Sequence, residues 1–131
     1  MRIVFDTNVL IASIISHGAC FEIFEHCVQN HQIFASQFII DEFSKKLVTK
    51  FKYPIETVIE ATNVIFKKVT IIELDISFKI DFSDKMDIPI LSTAITSKSE
   101  LLITGDKKMQ ALNTYQGVKI IRPADFWKNE H

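Results

Sequence analysis

The run Ile3-Val4-Phe5, followed without a break by Asp6-Thr7-Asn8, constrains the rest of the chain more than any other feature. Two β-branched residues and an aromatic make a strand signal, and the polar triplet ends it abruptly. Val9-Leu10-Ile11-Ala12 and Ile14-Ile15 then supply the apolar face of a helix. A buried strand feeding directly into a helix is the opening of an α/β sheet. In such sheets the side chains just past the carboxyl end of a parallel strand face the crevice where ligands bind. Asp6 stands there, so the question becomes which other residues the chain brings to it.

The pattern after this opening alternates. Residues 2–5 form the first strand, and the helix runs through Ile15 to a break at His17-Gly18. A helix over 19–29 carries Phe21, Phe24, Cys27 and Val28 at helical spacing, and a second strand covers 32–35. Ser36 reads as the N-cap of a helix reaching about residue 50. Pro54 opens the next helix, to residue 68, and a third strand covers 69–74. Residues 75–86 are polar and irregular. A helix over 87–97, a fourth strand over 101–104, a short helix over 107–112, a fifth strand over 118–121 and a terminal turn over 123–128 complete the series. Strands alternating with helices predict a mainly parallel, five-stranded sheet with helices on both faces.

The 131 residues, 47% of them hydrophobic and eleven of them Phe, suit a single domain, 1–131, with one core. No apolar run approaches the length of a membrane span, and Met1 leads straight into a strand pattern. A cytoplasmic protein with no membrane contact is therefore expected. Cys20 and Cys27 lie on one helix about 10 Å apart along its axis, too far for a disulfide. The net charge of −1, from 15 basic and 16 acidic residues, excludes nucleic-acid binding by bulk charge. Only Arg2 and Arg122 are arginines, so bidentate phosphate clamps are scarce.

Four acids stand out by position. Asp6 and Asp106, the latter after Leu101-Leu102-Ile103-Thr104-Gly105, each follow a strand and precede a helix. Asp87 precedes a helix and falls near Leu91 and Ala94 on its buried face. Each of the three reads equally well as a helix N-cap. Asp41 and Glu42 are adjacent, and the helical wheel separates them. At about 100° per residue, Asp41 points away from the stripe formed by Ile39, Ile40, Phe43 and Leu47, whereas Glu42 sits on its shoulder. Carboxylates gathered in one crevice repel one another and need a cation. Oxygen donors without a nearby Cys or His suit Mg²⁺ or Mn²⁺ rather than zinc.

The order Ile-Val-Phe-Asp-Thr-Asn-Val-Leu, Ser36…Glu42, Asp84…Asp87 and Ile-Thr-Gly-Asp at 103–106 resembles the PIN-domain nucleases. It is most similar to the toxin-like (VapC-like) branch, the nuclease halves of toxin–antitoxin pairs. The resemblance runs from Arg2 to the closing Val-Lys-Ile-Ile-Arg-Pro-Ala-Asp-Phe. It implies a three-layer α/β/α sandwich and divalent-metal-dependent cleavage of RNA, with Asp6, Glu42, Asp87 and Asp106 as catalytic, metal-binding acids. It further implies that Asn8 orients the first acid, that Thr104 supplies a hydroxyl beside the last, and that Asp84 supports the third. A protein antitoxin and a homodimer are the implied partners. The chain departs from the family in having Ile88-Pro89 where another Asp or Asn often follows the third acid.

Lys85, Lys107 and Lys108 flank the proposed acids and are candidates for RNA backbone contact. The lysines at 45, 46, 50 and 52 read as a solvated helix face. His17, His26, His31 and His131 show no metal spacing and read as structural or surface residues. Phe126 and Trp127 read as closing the core. The alternative to an enzyme is a non-catalytic PIN-like module that binds RNA or protein.

Overall fold

The computed structural model describes residues 1–74 and 87–131. Asp84 and Lys85 therefore lie outside the described residues. Among the described residues, six strands and seven α-helices follow one another: β1 (Arg2–Phe5), α1 (Thr7–Ile15), α2 (Ala19–Asn30), β2 (Gln32–Ser36), α3 (Gln37–Thr49), α4 (Ile55–Phe66), β3 (Thr70–Ile72), α5 (Ile88–Thr96), β4 (Leu101–Ile103), α6 (Lys107–Gln110), β5 (Thr114–Tyr115), β6 (Val118–Ile121) and α7 (Phe126–Asn129). A 3₁₀ turn, Pro123–Asp125, leads into α7.

The strands form one sheet in the order β3-β2-β1-β4-β6-β5. The pairs from β3 through β6 are parallel, as helical crossovers require. The expected parallel α/β architecture with flanking helices is observed. The sheet has six strands rather than five, because Thr114-Tyr115 pairs antiparallel with Val118–Ile121. Gln116 and Gly117 join the two, both at positive φ (48° and 86°). A two-residue turn with both central residues left-handed is the connection that matches strand twist, and glycine adopts it without strain.

The core is continuous across the sheet. Ile3, Val4 and Phe5 of β1 are at most 1% exposed, and Leu102 and Ile103 of β4 are fully buried. Strands covered on both faces read as unbroken apolar runs, which is why these segments stand out in the sequence. Phe43 and Leu47 of α3 are buried, Phe43 meeting Phe66 of α4 edge to face at 5.2 Å. The strand at the open edge, β3, is shorter than the expected 69–74, since only Thr70–Ile72 find partners on β2. Cys20 and Cys27 are free thiols. Phe126 is fully buried, as a core-closing residue should be, but Trp127 is half exposed and does not share that role.

No single helix among the described residues is long and apolar enough to cross a membrane. The sequential pair α1 and α2 is apolar over its combined length, but the two helices meet at 105°.

Candidate active site

The chain leaves β1 toward β2 and β3 on one side and returns to β4 and β6 on the other. The switch between β1 and β4 opens a crevice at the carboxyl ends of the strands, where doubly wound sheets hold ligands. Phe5 pairs with Ile103 in register, so the next residues, Asp6 and Thr104, emerge side by side. The Asp6 N–H donates to Ile103 O at 2.9 Å and the Thr104 N–H donates to Ile121 O at 3.0 Å, which fixes both backbones.

Asp6 is 6% exposed and occupies the N-cap position of α1, yet its side chain does not cap that helix. It turns instead across the switch point, where Thr104 Oγ1 donates to Asp6 Oδ2 at 2.7 Å. The same Thr104 hydroxyl accepts the N–H of Asp106 at 3.0 Å. One buried hydroxyl thus joins the two acids that end neighbouring strands. Asp106 also caps α6, its Oδ1 accepting from the N–H groups of Lys108 and Met109 at 2.7 and 3.3 Å. The cap reading and the site reading therefore coexist for Asp106, whereas the side chains of Asp6 and Asp87 make no cap bond.

Burial pushes the Asp6 carboxyl up from its usual range. The Thr104 hydrogen bond works against that shift, the negative charge of Glu42 adds to it, and Lys46 and the Thr7 N–H oppose it. Glu42 is therefore close enough for Asp6 to feel its charge, although it is contributed by α3. The helical wheel separates the α3 acids correctly: Glu42 is half buried, and Asp41 is exposed with its Oδ1 held by Gln37 Nε2 at 2.9 Å.

Asp87 stands immediately before α5. Ser36, at the end of β2, is expected to cap α3 but makes no side-chain cap bond. Its hydroxyl is buried against α5 and bonds Thr93 Oγ1 at 2.8 Å, and Thr93 in turn donates to Pro89 O at 2.7 Å. This pair ties the first turn of α5 to the end of β2, and so fixes the backbone beside Asp87. Asn8 does not bond Asp6; its Oδ1 accepts from Lys46 Nζ at 3.0 Å. Lys107 and Lys108 are exposed on α6 beside Asp106.

Lys46 is the residue that the helical pattern assigns to a solvated face and that the structure moves to the site. It lies four positions after Glu42 on α3, on the same side of the helix. That spacing was the available signal. The contact itself, to Asn8 at the start of α1, belongs to the packing of two helices and is invisible along one.

These oxygen donors fit a hard divalent cation, which would relieve the repulsion between Asp6 and Glu42. Among the described residues, no three of the acids bring ligand atoms within 4.8 Å of one another. Two of these acids, Asp6 and Glu42, would be enough for Mg²⁺, which is commonly held by one or two carboxylates with water completing its shell.

A parallel sheet whose strand order reverses between two acid-tipped strands places those acids where α/β proteins of this class bind ligands. The profile of the PIN domain matches residues 2–108, and the chain belongs to that family. PIN domains are generally nucleases and generally use divalent metals. The fold is also similar to a solved chain of VapBC2 from Rickettsia felis bound to a DNA fragment from their promoter. The match has a TM-score of 0.70 at 16% identity, covering 93% of this chain and 98% of that one. No curated relative matches the chain.

Proposed function

We propose that this chain is a divalent-metal-dependent endoribonuclease, the toxin component of a toxin–antitoxin pair, with Asp6, Glu42, Asp87 and Asp106 as its catalytic acids. The observation that carries the reading is Asp6. It is a buried carboxylate with no cation as hydrogen-bond partner among the described residues, held by Thr104 and facing the charge of Glu42 at the switch point of the sheet. A bound Mg²⁺ or Mn²⁺ would supply charge for the phosphate oxygens and a lowered water pKa.

The residues divide the work. Asp6 and Glu42 present the densest negative charge and are the first candidates to hold the ion. Thr104 fixes the rotamer of Asp6 and the backbone of Asp106 together. Asp106 approaches from β4 and Asp87 from the start of α5. Lys107 and Lys108 lie where the phosphates flanking the scissile bond would pass, and Lys46 limits the repulsion between the acids before an ion arrives. VapBC2 supports a protein antitoxin as partner. Exposed Ile55, Ile59 and Val64 on α4 offer apolar surface for that partner or for a second copy in a homodimer.

The test is cleavage of a mixed RNA pool with Mn²⁺ or Mg²⁺, by wild type and by Asp6→Asn and Asp106→Asn. Removing one electrostatic group of this kind costs about 10²–10³ in rate, and chelation should abolish cleavage altogether. Wild-type rates in both variants would remove these acids from the site. The wide spacing of the acids favours a second reading, a non-catalytic RNA-binding module. RNA bound with equal affinity with or without the ion, and never cut, would establish it.

A further inference from the structure

At the opposite edge of the sheet, three side chains converge that the acid site does not use. His26 lies in the last turns of α2, His31 caps that helix just before β2, and Glu130 follows α7. Both imidazoles present Nε2 to the same carboxylate oxygen. His31 Nε2 is 2.6 Å from Glu130 Oε2, and His26 Nε2 makes a second contact to that oxygen. Their ligand atoms all lie within 4.8 Å of one another, and no other described group of three or more His, Cys, Asp or Glu residues does so.

We propose that His26, His31 and Glu130 form a site for a zinc-class dication. Two imidazoles and one carboxylate are a donor set of borderline softness, suited to Zn²⁺ or Co²⁺ and distinct from the all-oxygen set at the other edge. Four-coordinate bonds of about 2.0–2.1 Å place ligand atoms about 3.4 Å apart. Glu130 therefore needs to withdraw by only roughly 1 Å to admit the ion. Its side chain is 25% exposed and that of His26 30%, so it is free to move and water can take the fourth position. The His31 side chain is 6% exposed, so its Nε2 is held in place; its Nδ1 lies 2.9 Å from the Met1 amino nitrogen, and because an imidazole that ligates through Nε2 keeps its proton on Nδ1, the ion would bind with that amine neutral or displaced. The Trp127 ring meets the His26 ring edge to face, with centroids 4.9 Å apart.

The ion would tie the end of the chain to the α2–β2 corner, 99 residues away in sequence. The role is structural. The site lies at the amino ends of the strands, a full β1 strand, about 13 Å, from Asp6. The two sites can therefore be emptied separately.

The experiment is a zinc titration of tag-free protein by calorimetry, repeated with Co²⁺ and read by visible absorption. Wild type, Glu130→Gln, His26→Gln and Asp6→Asn are compared, each checked for folding by circular dichroism. The proposal expects one zinc ion bound with a Kd below about 1 μM in wild type and Asp6→Asn, and an affinity at least about 100-fold weaker in the other two variants. Bound Co²⁺ should show the intense band of a four-coordinate site. A saturating ion should raise the melting temperature by about 10 °C. Absent stoichiometric binding, binding undiminished in Glu130→Gln and His26→Gln, or binding lost in Asp6→Asn would each overturn it. The first of these would make the cluster an ion pair alone.

Discussion

At the carboxyl edge of the sheet, Asp6 is buried among an alcohol, a like charge and one lysine, and its carboxyl titrates above its usual range. At the amino edge, Glu130 is reached by His31 and His26, whose hydrogen bonds hold its carboxyl below that range. The two carboxylates belong to the same small domain and answer to the same physics. One is short of positive charge, and the other has a matched partner in either protonation state of the imidazoles. The difference teaches where to look for chemistry. A folded chain tolerates an uncompensated buried carboxylate when something outside the chain completes it.

Three substitutions test that contrast, the most damaging first. Phe126→Ala empties the fully buried ring that packs under His26 and His31. It should cost about 3–5 kcal/mol of stability, read by chemical denaturation, with no change in nuclease activity per folded molecule. A cleavage rate that falls with it at permissive temperature would mean that the two edges are coupled. Thr104→Val keeps the shape of the residue but removes the hydroxyl shared by Asp6 and Asp106. Leaving buried polar groups unmet should destabilise by about 1–3 kcal/mol and raise the Asp6 pKa further, since the bond it loses is one that lowers it. An unchanged denaturation midpoint would show that water replaces the hydroxyl.

The smallest effect has the opposite sign. In metal-free buffer, Asp6→Asn should melt a few degrees above wild type at pH 7. The raised pKa means that the folded state binds the Asp6 proton more tightly than the unfolded chain does. Wild-type stability from this group therefore falls as pH climbs from the ordinary carboxylate range through the raised value, and the penalty is complete above it. Asn does not titrate, so the gap between the two proteins should close as pH drops toward 3. A gap that widens on acidification would contradict the assignment of burial and Glu42 as the causes.

Most of the architecture was legible because buried parallel strands are continuous apolar runs and the helices between them repeat at 3.6 residues. The β5 strand was not, since two residues carry no periodicity; its signal was the Gln116-Gly117 turn. Asp6 and Asp106 were visible as acids at strand ends, and Glu42 as the shoulder of a wheel. What Ser36, Asn8 and Lys46 do was not visible, because each spends its side chain on another element. The His26, His31 and Glu130 group was hidden for a similar reason. Its two histidines do not share the i, i+4 face of a helix, and its acid arrives from the far end of the chain.

The bond between Thr104 and Asp6 spans 98 positions, and that span has a temporal meaning. β1 leaves the ribosome roughly a hundred codons before its second neighbour, β4. Parallel pairing at such separation is slow to form. A chain arrested before β4 would expose one edge of β1 and leave the first acid without its alcohol. Translation thus withholds the pairing of the two acid-tipped strands until β4 exists, so products truncated before it should lack nuclease activity.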